Sequence, residues 1–235
     1  MDRRLPRRQA RIEAILTAAM TIATAEGLEA LTIARLCEDL QLSIGGLYRY
    51  FPGKEAIYTA LQMRTIHRFH GFWQQAVSDA RATLAEGGTP APVAALVLVH
   101  VAFQAYLDHA VAMPVEHRLM DAFLSSPDQL LSDDEARKVD VDVLNPLIGD
   151  YASLLVAAAD CGALAPGDAV VRTHVIWAAL HGLDHMRKRD RLMPEQLRVG
   201  ALVPATLSGF LSGWGASPES LAAAFAFTAV PQPVT

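Results

Sequence analysis

Apolar residues recur at spacings of three and four along most of the chain, and sustained alternation is missing. Ile12, Ile15, Leu16, Ala19, Ile22 and Ala23 share one face and predict a helix over about 8–25. Gly27 follows as a left-handed stop, with Leu28 placed to pack back on the last turn. Thr32 suits the cap of a second helix, 32–39, whose apolar side is Ile33, Leu36, Cys37 and Leu40. Ser43 caps a third helix that ends near Arg49. Pro52-Gly53 breaks the chain, and Lys54 opens a fourth helix running to about Ala85.

Further on, the punctuation is Gly87-Gly88, Pro90/Pro92, Met113-Pro114, Ser125–Asp128, Gly162, Pro166-Gly167, Pro194 and Gly215–Pro218. Cutting there predicts helices near 92–109, 114–124, 133–160, 168–189, 195–213 and 218–227, followed by a disordered tail over 228–235. No internal repeat and no low-complexity tract appears. The pattern gives an all-α protein with three or four helices in front and a larger helical bundle behind.

Composition narrows the class. Of 235 residues, 52% are hydrophobic and 19% charged, enough for a sizeable core and too apolar for a disordered chain. The opening MDRRLPRRQAR lacks the apolar segment that a signal peptide needs after its charged start. Residues 87–107 and 199–218 carry no Asp, Glu, Lys or Arg over roughly a membrane span. Prolines, His100 and Gln104 in the first, and Pro204, four glycines and three serines in the second, mark both as helices buried in protein. The second fits a surface between two subunits. Cys37 and Cys161 lie far apart without CxxC spacing, so neither a zinc site nor a disulfide framework is indicated.

Charge is unevenly distributed. The net charge of −5 argues against indiscriminate polyanion binding, yet residues 1–64 hold nine Lys/Arg against seven Asp/Glu, and the remainder hold eleven against eighteen. Arg3, Arg4, Arg7, Arg8 and Arg11 crowd the first eleven residues. A basic arm on a mildly acidic body is the footprint of a chain that meets a polyanion at one end.

That end holds the one segment rich in specific chemistry, residues 31–58, LTIARLCEDLQLSIGGLYRYFPGKEAIY. A short helix, a tight turn, a second short helix and a Pro-Gly break have the form of a helix-turn-helix element. A major groove about 12 Å wide admits one helix, with phosphates met by donors at its ends. Thr32 offers a hydroxyl and the free amides of a helix start; Tyr48, Tyr50 and Lys54 offer donors for backbone oxygens. Tyr48 and Tyr50 cannot both be core, because neighbours two apart lie on opposite sides of a helix. Base reading falls to Ser43, Ile44, Gly45, Gly46 and Arg49, with Arg49 matched to guanine and Ile44 to a thymine methyl. Leu47 and Phe51 belong beneath the helix.

The segment resembles the N-terminal DNA-binding domain of the TetR (AcrR-like) family of bacterial transcriptional regulators. The resemblance covers about a fifth of the chain. It implies phosphate-facing roles for Thr32, Tyr48, Tyr50 and Lys54, and double-stranded operator DNA as partner. It also implies a division into 1–54 for DNA binding with its basic arm, 55–227 for ligand binding and dimerisation, and 228–235 as tail. Four positions depart from the family pattern: Gln41 for a turn glycine, Leu40 for a small alanine, Ile44 for a polar residue, and Gly46 for Thr or Ala. Gly46 weakens its helix by roughly 1 kcal/mol. These changes bear on the operator sequence more than on the fold.

The back half offers less. A twofold dimer would place two recognition helices in grooves one turn, about 34 Å, apart. Its surface should be apolar and rich in small residues, and Ala178, Gly182, Ala201, Ala205 and Gly209 fit that description, as they would fit an internal core. In the resembled family, the last two major helices pair with their copies. Aromatic, Met and His residues gather at Phe69, His70, Trp73, Phe103, Tyr106, His117, Met120, Phe123, Tyr151, Trp177 and His181, a composition suited to a mostly apolar pocket for a small effector or to plain core. His174, His181 and His185 share a helix side, so a metal site is geometrically available, but no HExxH and no cysteine supports it. Catalytic fingerprints are missing. The reading is a dimeric, cytoplasmic, effector-responsive regulator without cofactor or metal, in a family made mostly of repressors, and not an enzyme. Its rivals are a small-molecule carrier that lost DNA recognition and a helical metal-dependent enzyme.

Overall fold

The computed structural model describes residues 4–126 and 129–229. The helices are, in chain order, α1 (Arg4–Glu26), α2 (Ile33–Leu40), α3 (Ile44–Tyr48), α4 (Lys54–Glu86), α5 (Ala91–Ala112) and α6 (Pro114–Ser125). They continue with α7 (Asp133–Val139), α8 (Asn145–Asp160), α9 (Ala169–Met186), α10 (Val199–Gly213) and α11 (Pro218–Ala229). Among the described residues there is no strand, as the missing alternation requires.

Two compact units divide the chain. The first comprises residues 1–69 and 112–145; the second comprises 70–111 and 146–235. In the first, Ile15, Leu31, Leu36, Leu47, Ile57 and Leu61 are fully buried and form the centre around which α1 to α3 and the start of α4 assemble. In the second, Leu96, Leu155, Ile176, Leu180, Leu207 and Leu211 do the same for α5 and α8 to α10. Burying a Leu or Ile contributes roughly 1.5–3 kcal/mol, so each unit has a core able to order its helices.

Several boundaries differ from the periodicity, each for a local reason. The stretch predicted as one helix over 133–160 contains a π turn at Asp140–Leu144 between α7 and α8. One extra residue in the ring shifts the register, and a 3.6-residue pattern cannot report that shift. The helix expected to reach residue 189 ends as α-helix at Met186 and tightens into a 3-10 segment, Arg187–Leu192. Helix α5 and the stretch Asp133–Asp160 are long and apolar enough to cross a membrane by length and composition. Leu96, Val97, Val99, Ala102, Phe103 and Tyr106 of α5 are nevertheless buried against protein. The predicted disordered tail, 228–235, falls outside the described residues from 230 on, while α11 reaches Ala229.

The largest correction concerns the amino terminus. Arg4 already belongs to α1, and Arg3 lies outside the described residues. The end of α1 lies beside the start of α4, where the Tyr58 hydroxyl donates to the Leu28 carbonyl at 2.7 Å. Further back along α1, Thr17 and Glu13 meet Arg64 at 3.3 and 3.5 Å. Helices α1 and α4 therefore run antiparallel, and Arg7 and Arg8 are both exposed on the first turns of α1. The described arginines are part of a helix rather than an extended arm.

Candidate nucleic-acid interface

Local rules build the helix-turn-helix. Thr32 has extended backbone, and its hydroxyl accepts from the Arg35 amide at 3.1 Å, satisfying one orphan donor of α2. Leu36 and Cys37 face inward. Gln41 then adopts a left-handed conformation, φ 51°, at the position where the resembled family carries glycine. The Leu42 amide reaches back to the Cys37 carbonyl at 2.9 Å, the long bond of a Schellman stop. Ser43 caps α3 by accepting from the Gly46 amide at 3.0 Å.

Helix α3 has a clear inside and outside. Leu47 is fully buried and Phe51 is 6% exposed, so both pack beneath it. Ile44 is 55% exposed and Tyr48 47% exposed, one turn apart on the outer side, joined there by exposed Ser43, Gly45 and Arg49. A Cβ on Gly45 would meet nothing within 4 Å, whereas one on Gly46 would press on Ser43 Oγ at 3.1 Å. Gly46 thus leaves room for the cap. Tyr50 is not on the helix: α3 ends at Tyr48, and Tyr50 is half-buried in the turn that follows. The two tyrosines therefore do not oppose each other across one helix, because the Pro52 break ends the helix early.

The basic residues divide by partner. Arg35 is held by Glu26 at 3.0 Å and Asp39 at 3.2 Å, and Arg64 by Glu13. Arg49 lies over the Tyr50 ring at 5.8 Å and Lys54 over the Tyr58 ring at 5.0 Å. Among the described residues neither Arg49 nor Lys54 has an acidic partner, so both keep charge for an external anion. Sequence reasoning missed the Arg35–Glu26 pair and the Tyr58–Leu28 bond, which span nine and thirty residues. The Arg35–Asp39 spacing of four was the only available signal.

Within the second unit, several of the expected effector-contacting residues come together. The Trp73 and Phe103 rings lie 5.0 and 4.7 Å from the Tyr151 ring. The Tyr151 hydroxyl donates to the Ala102 carbonyl at 3.1 Å, and burial raises its pKa well above the ordinary value. His70 bonds Asp150 at 2.6 Å. The Tyr106 hydroxyl and His181 Nδ1 are 2.8 Å apart, and Trp177 stacks on the His181 ring at 5.1 Å. Phe69, His117, Met120 and Phe123 belong to the first unit, where the first three are buried and Phe123 meets Tyr58 edge-on at 6.0 Å. Of the histidines weighed for metal, His174 Nδ1 faces the Val170 carbonyl at 2.8 Å and His185 Nδ1 the His181 carbonyl at 3.0 Å. Those contacts already use one ring nitrogen of each.

Helices α9 and α10 pack on each other, and each leaves a stripe of small residues outside. Ala178 and Gly182 on α9, and Ala201, Ala205 and Gly209 on α10, are all exposed. An internal core does not account for them.

A capped brace helix, a left-handed turn and a short outward-facing helix with spare cations define a helix-turn-helix DNA-binding domain. Residues 15–61 match the family described as bacterial regulatory proteins, tetR family. The N-terminal domain belongs to that family, and the chain is a transcription regulator of its fold. No curated protein matches the sequence significantly. Among solved structures, SmeT, the repressor of the Stenotrophomonas maltophilia multidrug efflux pump SmeDEF, is similar at TM-score 0.62 and 18% identity, over 95% of this chain and 97% of that one. A bacterial regulatory protein in the tetR family from Rhodococcus RHA1 is similar at 0.59 and 16%, over 88% and 97%. RolR in complex with resorcinol is similar at 0.60 and 16%, over 97% and 98%.

Proposed function

We propose that this chain is a cytoplasmic homodimeric repressor whose operator grip is released by a small, largely apolar effector, and that it performs no catalysis. The observation that carries the DNA half is the outer side of α3: Ser43, Ile44, Tyr48 and Arg49 exposed, with Lys54 unpaired nearby. Thr32, Tyr48, Tyr50 and Lys54 take backbone phosphates, while Ser43, Ile44, Gly45, Gly46 and Arg49 face base edges. The exposed stripe Ala178, Gly182, Ala201, Ala205 and Gly209 supports pairing of α9 and α10 with their copies. The division into a DNA-binding part over 1–54 and a ligand-binding and dimerisation part over 55–227 follows from the same assignment.

Support for the effector comes from the aromatic group Trp73, Phe103, Tyr106, Tyr151, Trp177 and His181, an apolar cluster with two phenol hydroxyls and an imidazole among its members. RolR, which shares the fold, binds resorcinol, a molecule of that character. An effector that binds one arrangement of the body more tightly shifts the dimer away from operator spacing. Titration of duplex DNA from upstream of the coding region, with and without resorcinol and related small aromatics, tests the whole reading. Saturable, salt-sensitive DNA binding that one of these molecules weakens agrees with it. Failure to bind DNA while a small molecule raises the melting temperature turns the assignment to a carrier.

A further inference from the structure

The first turn of α4 is tied to a distant part of the chain. The Glu55 carboxylate accepts a hydrogen bond from the Ser132 amide, the residue that caps α7. Hydrogen bonds from Ser132 hold the Glu55 carboxyl below its ordinary pKa, so it is ionised at neutral pH. Two further contacts bracket this one. The Glu135 carboxylate, in the first turn of α7, pairs with Lys138, and the Thr59 hydroxyl, one turn beyond Glu55 on α4, donates to the Glu55 carbonyl at 3.1 Å. Ser132 Oγ meanwhile accepts from the Glu135 amide at 3.4 Å. The start of α7 and the start of α4 are thus joined through Ser132, whose amide donates to Glu55 and whose hydroxyl caps α7. Lys54, the cation assigned to phosphate, is the residue before Glu55 on the same turn.

We infer that Glu55 and Ser132 form a positioning latch, which fixes the first turn of α4 and thereby aims Lys54 at the DNA backbone. This rests on the assignment of Lys54 to phosphate. Neither latch residue touches DNA; both act through Lys54. Because α7 continues through the π turn at Asp140–Leu144 into α8, which carries Asp150 and Tyr151, a change in α8 has a covalent route to the latch.

Charge separates a latch from bystanders. Glu55 is an anion beside a phosphate-binding cation, so by Coulomb attraction alone its removal strengthens DNA binding. A latch gives the opposite sign. The test measures affinity of the full-length dimer for a labelled mixed-sequence duplex at several salt concentrations, for wild type, Lys54→Ala, Glu55→Ala and the double variant. Glu55→Ala should weaken binding several-fold and lower the salt slope by about one, as loss of one phosphate contact does. The double variant should be no weaker than Lys54→Ala, because both act through one contact. Glu55→Gln, which still accepts from the Ser132 amide, should recover part of the loss, and melting temperatures confirm that all variants are folded. If Glu55→Ala binds as tightly as wild type or tighter, or adds fully to Lys54→Ala, the latch is refuted while the phosphate assignment stands. If Lys54→Ala itself leaves affinity and slope unchanged, that assignment fails and the latch with it.

Discussion

At the scale of single residues, the partner of each cation separates structure from function. Arg35 spends its guanidinium on Glu26 and Asp39, whereas Arg49 and Lys54 rest on tyrosine rings with their charge unneutralised. Tyr48→Phe and Lys54→Ala should therefore weaken binding to every DNA sequence by similar factors, and Arg49→Ala should flatten the preference between operator and mixed-sequence duplex. Competition titrations with both duplexes distinguish these outcomes, and an Arg49→Ala protein with unchanged preference would remove Arg49 from the base-reading set. A second residue makes a pH prediction. His100 is buried, its Nδ1 has no hydrogen-bond partner among the described residues, and burial lowers its pKa from 6.5 to about 4. The unfolded chain takes up a proton near pH 6.5 that the folded chain refuses until about pH 4, so the His100 contribution to stability falls as pH drops through that window and levels off below it. The loss amounts to on the order of 3 kcal/mol. Urea unfolding across this range should show it, and His100→Leu should make the slope measurably shallower.

At the scale of elements, the caps were legible and the turns less so. Thr32 and Ser43 stand directly before apolar-periodic runs, and each makes the capping bond that such a position implies. The burial of Leu47 and Phe51 follows from the same periodicity. Tyr50 was misplaced because periodicity cannot say where a five-residue helix stops. The π turn was illegible because a 3.6-residue pattern cannot report one extra residue in a ring, and the course of α1 because it depends on which helix is the neighbour, disclosed by contacts such as Glu13–Arg64. Gln41 is an element-scale oddity, holding φ 51° without being glycine. A left-handed conformation costs a side-chain-bearing residue roughly 1–2 kcal/mol. Gln41→Gly should thus raise the unfolding midpoint without altering DNA affinity, and a fall in stability would show that the Gln41 side chain supports the turn.

At the scale of the whole molecule, the sequence supplied the all-helical architecture and the class of regulator, because order, spacing and caps in residues 31–58 agree with one another. Its back half was nearly silent, since small and apolar residues look alike whether they face a core or a second subunit. Exposure resolves part of this: Ala178, Gly182, Ala201, Ala205 and Gly209 lie outside on α9 and α10. A charge buried in a close-packed twofold interface has no partner, so Ala205→Glu should convert the dimer to a folded monomer and weaken operator binding at least tenfold. Light scattering and circular dichroism on one sample check both halves, and a stable Ala205→Glu dimer would move the interface elsewhere.

The most direct test is a hydroxyl-radical footprint of the wild-type protein on the DNA upstream of its coding region. Two protected stretches are expected, centred one helical turn (about 34 Å) or a whole number of turns apart, and both should vanish for the Tyr48→Ala/Lys54→Ala variant. Absence of protection, a single patch, or a footprint that survives in that variant would contradict the docking of α3 in the major groove.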